Sequence, residues 1–118
     1  MSDIILAIRP KWAELIFAGK KTIEVRRAMP RNITAADTVY FLYNNEIHGH
    51  ATIQSILRGI PDPVPDYFLH GSCLTLEQYQ NYITGARHPG ALILTEPVLY
   101  HKPKPHHGPV VQNFIYEL

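Results

Sequence analysis

Prolines and glycines divide this chain into short elements. The 118 residues include ten prolines and seven glycines, and only residues 31–48 and 72–84 run longer than ten residues without either. Both residue types weaken the interior of a helix, so many short elements are favoured over long helices. Apolar residues make up 46% of the chain, enough for a packed core, and the length is that of one domain. We therefore predict a single domain over residues 1–118.

The hydrophobic pattern predicts six short strands and two short helices. The first helix is expected to begin at Pro10 and end at Gly19, and the second to begin with a capping box of Thr75 and Gln78. Residues 59–67 read as a loop, and residues 101–109 as an extended, polyproline-like arm. Strands are predicted near residues 4–8, 22–26, 38–43, 47–57, 91–100 and 110–118. The last strand of the hairpin contains Gly49, which indicates a bulge or a close backbone approach.

This order predicts an α+β fold, a partly open β-barrel of about five to six mostly antiparallel strands with two short helices. The seven histidines and single cysteine of the chain match no standard zinc spacing, and we predict no bound metal. No phosphate loop or dinucleotide fingerprint is present, and no cofactor is predicted. A lone cysteine fits a reducing compartment, and the first residues lack a leader or membrane span. We expect a cytoplasmic protein without membrane contact.

Positive charge is concentrated at the start of the chain. Residues 1–31 hold seven Lys and Arg against three acids, whereas residues 32–118 hold four against seven. The net charge of +1 argues against a general binder of long duplexes. A local positive patch fits a small anionic or nucleotide-sized ligand. The alternative is a solvated charged face.

The stretch GKKTIEVRR, residues 19–27, carries much of this charge on a predicted strand. Alternation would send Ile23 and Val25 into the core and place Thr22, Glu24 and Arg26 on the opposite face. A carboxylate accepts hydrogen bonds from exocyclic amino groups of bases, and a guanidinium binds phosphate or stacks on a base. The alternative is a surface ion pair of little energetic value.

Lys21 and Glu24 are the candidate catalytic groups. A neutral Lys21 would activate water while Glu24 shuttles a proton, which requires that burial or a neighbouring cation lower the lysine pKa. Alternatively, both residues bind ligand without chemistry, or Lys21 is a solvated turn lysine.

Further ligand-binding candidates lie elsewhere on the predicted elements. Lys11 would present a cation beside the first helix, Tyr43 would stack on a base, and Gln112 would read a base edge through its amide. Each also has a purely structural reading as an exposed or packing residue. Trp12, on the apolar face of the helix, is expected in the core.

Residues 8–27, IRPKWAELIFAGKKTIEVRR, resemble the signature of the ASCH domain family of the PUA-like superfamily. That signature is a helix ending in glycine followed by G-x-K-x-x-E-x-R, found here at Gly19, Lys21, Glu24 and Arg26. The chain is most similar to the branch described as predicted transcriptional regulators. The residues that carry this similarity are Lys11, Trp12, Ala13, Gln112 and Phe114.

The resemblance implies a PUA-like barrel with a cleft beside the first helix for RNA or a modified nucleoside or nucleotide. A binding domain, regulatory in role, is the first reading. The alternative is a hydrolase that uses Lys21 and Glu24, either a ribonuclease or an amidohydrolase acting on N4-acetylcytidine. The deacetylating relatives carry Thr at the position of Glu24. A third reading is an adaptor that works through protein contacts, and the oligomeric state stays open.

Overall fold

The computed structural model describes residues 3–106 and 114–117. Within them, six strands form one sheet, and three helices pack around it. The elements are β1 (Asp3–Ala7), α1 (Pro10–Phe17), β2 (Ile23–Arg26), β3 (Thr38–Tyr43), β4 (Glu46–Arg58), α2 (Asp66–Ser72), α3 (Leu76–Ile83), β5 (Gly90–Pro105) and β6 (Phe114–Glu117).

The sheet has the strand order β2-β5-β4-β3-β1-β6. Its neighbouring strands are antiparallel except for β1 and β3, which run parallel. A parallel pair needs a crossover, and α1 with β2 supplies the connecting chain. The predicted α+β fold, a partly open barrel of mostly antiparallel strands, is confirmed.

The prediction of two helices was wrong, because α2 forms over Asp66–Ser72. It overlaps the end of the loop predicted for residues 59–67 and continues into residues for which no element was predicted. This helix begins at Asp66, directly after Pro65, and ends at Ser72, before Cys73, whose φ of 59° is left-handed. Seven residues that include Gly71 give too weak a periodic signal to predict a helix. None of the three helices in the described residues has the length and apolar character needed to cross a bilayer.

The polyproline-like arm was also wrong as far as Pro105, because β5 continues through it. Lys104 pairs with Ile47 of β4, and Pro105 pairs with Glu46. Proline has no N–H to donate to a neighbouring strand. It is therefore tolerated in a strand where its edge faces no hydrogen-bonding partner. Of the predicted arm, residues 107–109 lie outside the described residues.

The β3–β4 hairpin closes through Asn44 and Asn45, whose φ angles of 52° and 61° are those of a tight hairpin turn. The predicted capping box of Thr75 and Gln78 is present at the start of α3. Left-handed Gly19 follows the end of α1 as predicted, and left-handed Gly85 follows the end of α3.

The main core lies between α1 and the inner face of the sheet. Ile16 and Phe17 of α1 pack on this face, where the Phe17 ring meets the edge of Phe41 at 5.6 Å. Gly49 permits this approach, because a Cβ there would lie 2.5 Å from the Phe17 ring and would clash with the carbonyl of Val98. The sheet also shifts register at Gly49, so both alternatives predicted for this glycine are realised. Side chains of the core cluster come from Ile4, Leu6, Ile16, Ile33, Val39, Phe41, Ala51, Ile53, Leu92 and Leu94.

We predict that Gly49→Ala lowers the free energy of unfolding by about 1–3 kcal/mol, because the added methyl overpacks a closed interface. Urea denaturation measures the change. Ser55→Ala, at an exposed position on the same strand, is the control and should change stability by less than about 0.5 kcal/mol. Equal stability of the two variants would contradict this account of α1 packing.

Candidate functional site

Three charged side chains of the GKKTIEVRR stretch are buried together. Lys21, Glu24 and Arg26 are only 3%, 6% and 8% exposed. One carboxylate oxygen of Glu24 lies 3.5 Å from the Lys21 ammonium, and the other accepts a hydrogen bond from the Arg26 guanidinium at 3.1 Å. A single carboxylate therefore holds two cations, and the trio carries a net positive charge.

The C-terminal end of α2 fixes Lys21 in place. The Lys21 ammonium donates a hydrogen bond to the carbonyl of Ser72 at 2.5 Å. One residue earlier, the carbonyl of Gly71 accepts from the N–H of Thr22 at 2.8 Å. A Cβ on Gly71 would lie 2.8 Å from Cδ1 of Ile23, so glycine lets α2 approach β2 this closely. The lysine therefore depends on a helix that the sequence pattern did not predict.

Burial lowers the pKa of Lys21 below its ordinary value of 10.5, while the carboxylate of Glu24 opposes that shift. The ammonium also lies 5.0 Å from the centroid of the Trp12 ring, within cation–π range. Because the pKa is lowered, the neutral amine is reached at a lower pH than in an exposed lysine. Lys21 is thus suited either to bind an anion or to exchange a proton.

These charges line a cleft of about 810 Å³ beside α1. Four cationic side chains and one carboxylate line it, together with three large aromatic rings. The lining residues with charged or aromatic side chains are Arg9, Trp12, Lys21, Glu24, Arg26, Arg27, Tyr43 and Tyr82. Asn44, Asn45 and Gln78 add amides at its walls. The cleft therefore combines a net positive lining with flat apolar surfaces.

Trp12 was expected in the core but is half-buried and lines the cleft. It occupies the first turn of α1, so Ile16, one turn later, takes the core position instead. Its ring also contacts the ammonium of Lys11 at 4.5 Å from the centroid. The indole thus forms a wall of the cleft.

Tyr43 lies at the cleft, as its predicted base-stacking role requires. Its ring stacks on His48, with centroids 3.6 Å apart and planes 2° from parallel. Burial raises the pKa of the Tyr43 hydroxyl, which keeps it protonated as a hydrogen-bond donor. The stacked histidine holds the tyrosine ring in a fixed orientation.

The remaining sequence candidates lie apart from the buried trio. Thr22 is exposed and lines a separate pocket of about 220 Å³ that also touches Lys21. The side chain of Lys11 is exposed beside Trp12 and does not line the cleft. Gln112 lies outside the described residues.

Arg27 and Tyr82 line the cleft but were not chosen from the sequence. The guanidinium of Arg27 donates to the carbonyls of Tyr82 and Thr84 at 2.5 and 3.0 Å, which satisfies the end of α3. This contact brings Tyr82 to the cleft, where burial raises its pKa. Arg27 directly follows the motif and could have been selected from the sequence. The position of Tyr82 depends on the docking of α3, which leaves no local signal in the sequence.

The histidines of β4 have partners within the protein. His48 Nε2 forms a hydrogen bond with the carbonyl of Tyr43 at 3.0 Å, and His50 Nδ1 with the hydroxyl of Tyr100 at 2.7 Å. Within residues 3–106 and 114–117, no three His, Cys, Asp or Glu side chains are grouped to hold a metal ion.

We predict that Glu24→Gln destabilises the fold by about 3–5 kcal/mol, because it leaves two buried cations without their shared anion. Lys21→Met should cost less, about 1–3 kcal/mol, because Glu24 keeps Arg26, and only the Ser72 carbonyl and one oxygen of Glu24 lose the ammonium. Chemical denaturation of both variants measures the difference. A larger loss in Lys21→Met would contradict the central role of the carboxylate.

Solved structures share this fold. The crystal structure of the ASCH protein from Zymomonas mobilis superposes with a TM-score of 0.79 at 19% identity, covering 98% of this chain and 87% of that one. A hypothetical protein superposes with a TM-score of 0.61 at 17% identity, covering 80% of this chain and 97% of that one. At these identities the likeness shows the fold alone.

Sequence comparison leads to the same group. An "ASCH domain-containing ribonuclease" from Zymomonas mobilis is 25% identical over 98 residues, which are 80% of this chain. The match spans 65% of that relative's length. The model of the ASCH domain matches residues 6–99, most of the chain. The chain therefore belongs to the ASCH domain family.

Proposed function

We propose that the cleft binds a short segment of single-stranded RNA, or a modified nucleoside or nucleotide of the same chemistry. The observation that carries the proposal is the composition of the lining, four cations against one carboxylate beside three aromatic rings. The cations bind phosphate, and the aromatic rings are surfaces on which bases stack. The similarity to a protein named a ribonuclease favours RNA among anionic ligands.

The groups divide in a way that suits a nucleotide. Arg9 and Arg27 are exposed on the lining, where a phosphate reaches them. Trp12 and Tyr82 offer ring surfaces to a base. The buried Glu24 carboxylate accepts hydrogen bonds from an exocyclic amino group once a ligand phosphate competes for its cations.

Burial of the charged trio favours an unpaired strand over a duplex. Lys21, Glu24 and Arg26 lie in the cleft with at most 8% of their surface exposed. Paired and stacked bases cannot enter a recess, whereas nucleotides of a single strand splay out into one. The proposed ligand is therefore a strand that places one or two nucleotides inside the cleft.

Binding should be saturable, weaken with salt, and favour single strands over duplexes of the same sequence. We expect Tyr82→Leu and Arg9→Gln to weaken it about tenfold each, because each removes one stacking surface or one phosphate contact. Arg26→Ala should weaken binding more than either of these variants does, provided that circular dichroism shows an intact fold. Fluorescence anisotropy with a labelled hexanucleotide measures these affinities.

Arg31→Gln is the matched control, because Arg31 is exposed and does not line the cleft. It should keep the affinity of the unmodified protein. Absence of saturable binding to any RNA would overturn the proposal. Equal affinities of Arg31→Gln, Tyr82→Leu and Arg9→Gln would place the binding site elsewhere.

RNA hydrolysis is the second candidate, and the geometry of Lys21 favours it. Its amine has a lowered pKa and lies 3.5 Å from the Glu24 carboxylate. A neutral Lys21 would take a proton from water as the water oxygen bonds to phosphorus. Glu24 would receive that proton from the Lys21 ammonium and pass it to the ribose oxygen that leaves as its bond to phosphorus breaks. The same pair would serve an amidohydrolase, in which the attacked atom is the acetyl carbon of N4-acetylcytidine.

If the cleft cleaves RNA, Lys21→Met should abolish turnover, while Lys20→Met, which changes the exposed neighbouring lysine, should retain it. The rate should rise with pH as Lys21 loses its proton, through a pKa that burial holds below 10.5. Gel analysis of labelled single-stranded RNA, with N4-acetylcytidine tested in parallel, gives the readout. Turnover that persists in Lys21→Met would exclude this mechanism, and tight binding without product would leave the binding role.

A further inference from the structure

We infer that the cleft is extended by a second RNA-contacting surface, the aromatic row of Tyr40, His50 and Tyr100 with Lys102 and Lys104 beside it. This surface would bind nucleotides that flank those inside the cleft. The inference rests on the proposed function and deepens it. It assigns a role to the proline- and lysine-rich stretch after Tyr100, which the cleft does not use.

The row crosses three neighbouring strands. Tyr40 on β3 meets His50 on β4 edge to face at 6.0 Å between centroids, and His50 meets Tyr100 on β5 at 5.4 Å. The hydrogen bond from His50 Nδ1 to the Tyr100 hydroxyl fixes the two rings relative to each other. All three side chains are partly exposed. A row of partly exposed rings on a sheet is a surface on which unpaired bases stack.

A bulge in β5 brings cations to this row. Lys104 pairs with Ile47 and Leu99 pairs with Gly49, so residues 100–103 stand opposite a single residue of β4. The bulge shortens the path along β5 and places the Lys104 ammonium 5.1 Å from the centroid of the Tyr100 ring. Lys102 is exposed within the bulge.

The charge of this stretch complements a phosphate backbone. Residues 98–106 contain two lysines and two histidines and no Asp or Glu. An exposed contact between an ammonium and a ring is weak, so Lys104 is free to exchange the Tyr100 ring for a phosphate as a base stacks there. Rings with cations beside them are what a single strand needs, because its bases stack while its phosphates require positive charge.

The row is continuous with the cleft. Leu42 is buried beneath Tyr40 and Tyr100, with Ile5 and Ile47, and it also lines the cleft. Leu42 stands two residues beyond Tyr40 on the same face of β3, a separation of about 7 Å. A strand that leaves the cleft past Leu42 therefore meets the aromatic row next. This continuity selects the occupant as a further segment of the same RNA.

Binding of a dinucleotide and of a single strand of about 12 nucleotides separates the two surfaces. The double variant Lys102→Glu/Lys104→Glu should bind the longer RNA about tenfold or more weakly, because it replaces two phosphate contacts by repulsion. Its affinity for the dinucleotide, which fills only the cleft, should stay within about twofold. Tyr100→Leu should also weaken the longer RNA, whereas Tyr100→Phe, which keeps the ring, should not.

The control is Arg31→Glu/Arg87→Glu, which makes the same charge change at two exposed positions away from the row. An equal loss in this control, or an unchanged ratio of the two RNA affinities in the lysine variant, would overturn the inference while leaving the cleft intact. Failure of the unmodified protein to bind either RNA would instead overturn the proposed function.

Discussion

The carboxylate of Glu24 is the interaction on which the site depends. It stands between Lys21 and Arg26 in a region almost closed to water, where an unpaired charge would cost several kcal/mol, about 3–5 by analogy with broken buried pairs. Two buried cations thereby line the cleft with their charge partly compensated. The arrangement is costly as a device for stability, because an apolar trio would fill the space more cheaply. Buried, mutually interacting charges of this kind are found more often at binding and reactive sites than elsewhere.

Three elements meet to maintain this trio. β2 contains Glu24 and Arg26, and Lys21 lies two residues before it. α2 accepts a hydrogen bond from Lys21, and α1 places Trp12 against the lysine. Alternation along β2 puts Ile23 and Val25 in a second apolar cluster with Phe68 and Tyr79. One face of β2 thus packs in that cluster, and the other face orients the charged groups. Loss of the apolar face would release the charged face as well.

Much of the architecture was accessible from the sequence, because periodicity and punctuation are local. The two flanking helices, the hairpin and the shared face of Glu24 and Arg26 follow from alternation, caps and turn residues. What escaped prediction depends on tertiary contact. α2 is stabilised by docking on β2, Tyr82 reaches the cleft through α3, and Trp12 lines the cleft because Ile16 fills the core. The ligand roles of Lys21, Glu24, Arg26, Tyr43 and Gln112 stay predictions.

The hairpin turn between β3 and β4 has a consequence for the evolution of the cleft. Asn44 and Asn45 both lie in the left-handed region and both line the cleft. Few residue types other than asparagine, aspartate and glycine adopt that conformation readily. Drift at this wall is therefore confined to an amide, an acid or bare backbone. Specificity at this rim would evolve among an amide, a carboxylate and glycine. Bulky and apolar side chains are excluded there by the backbone conformation, whatever the ligand.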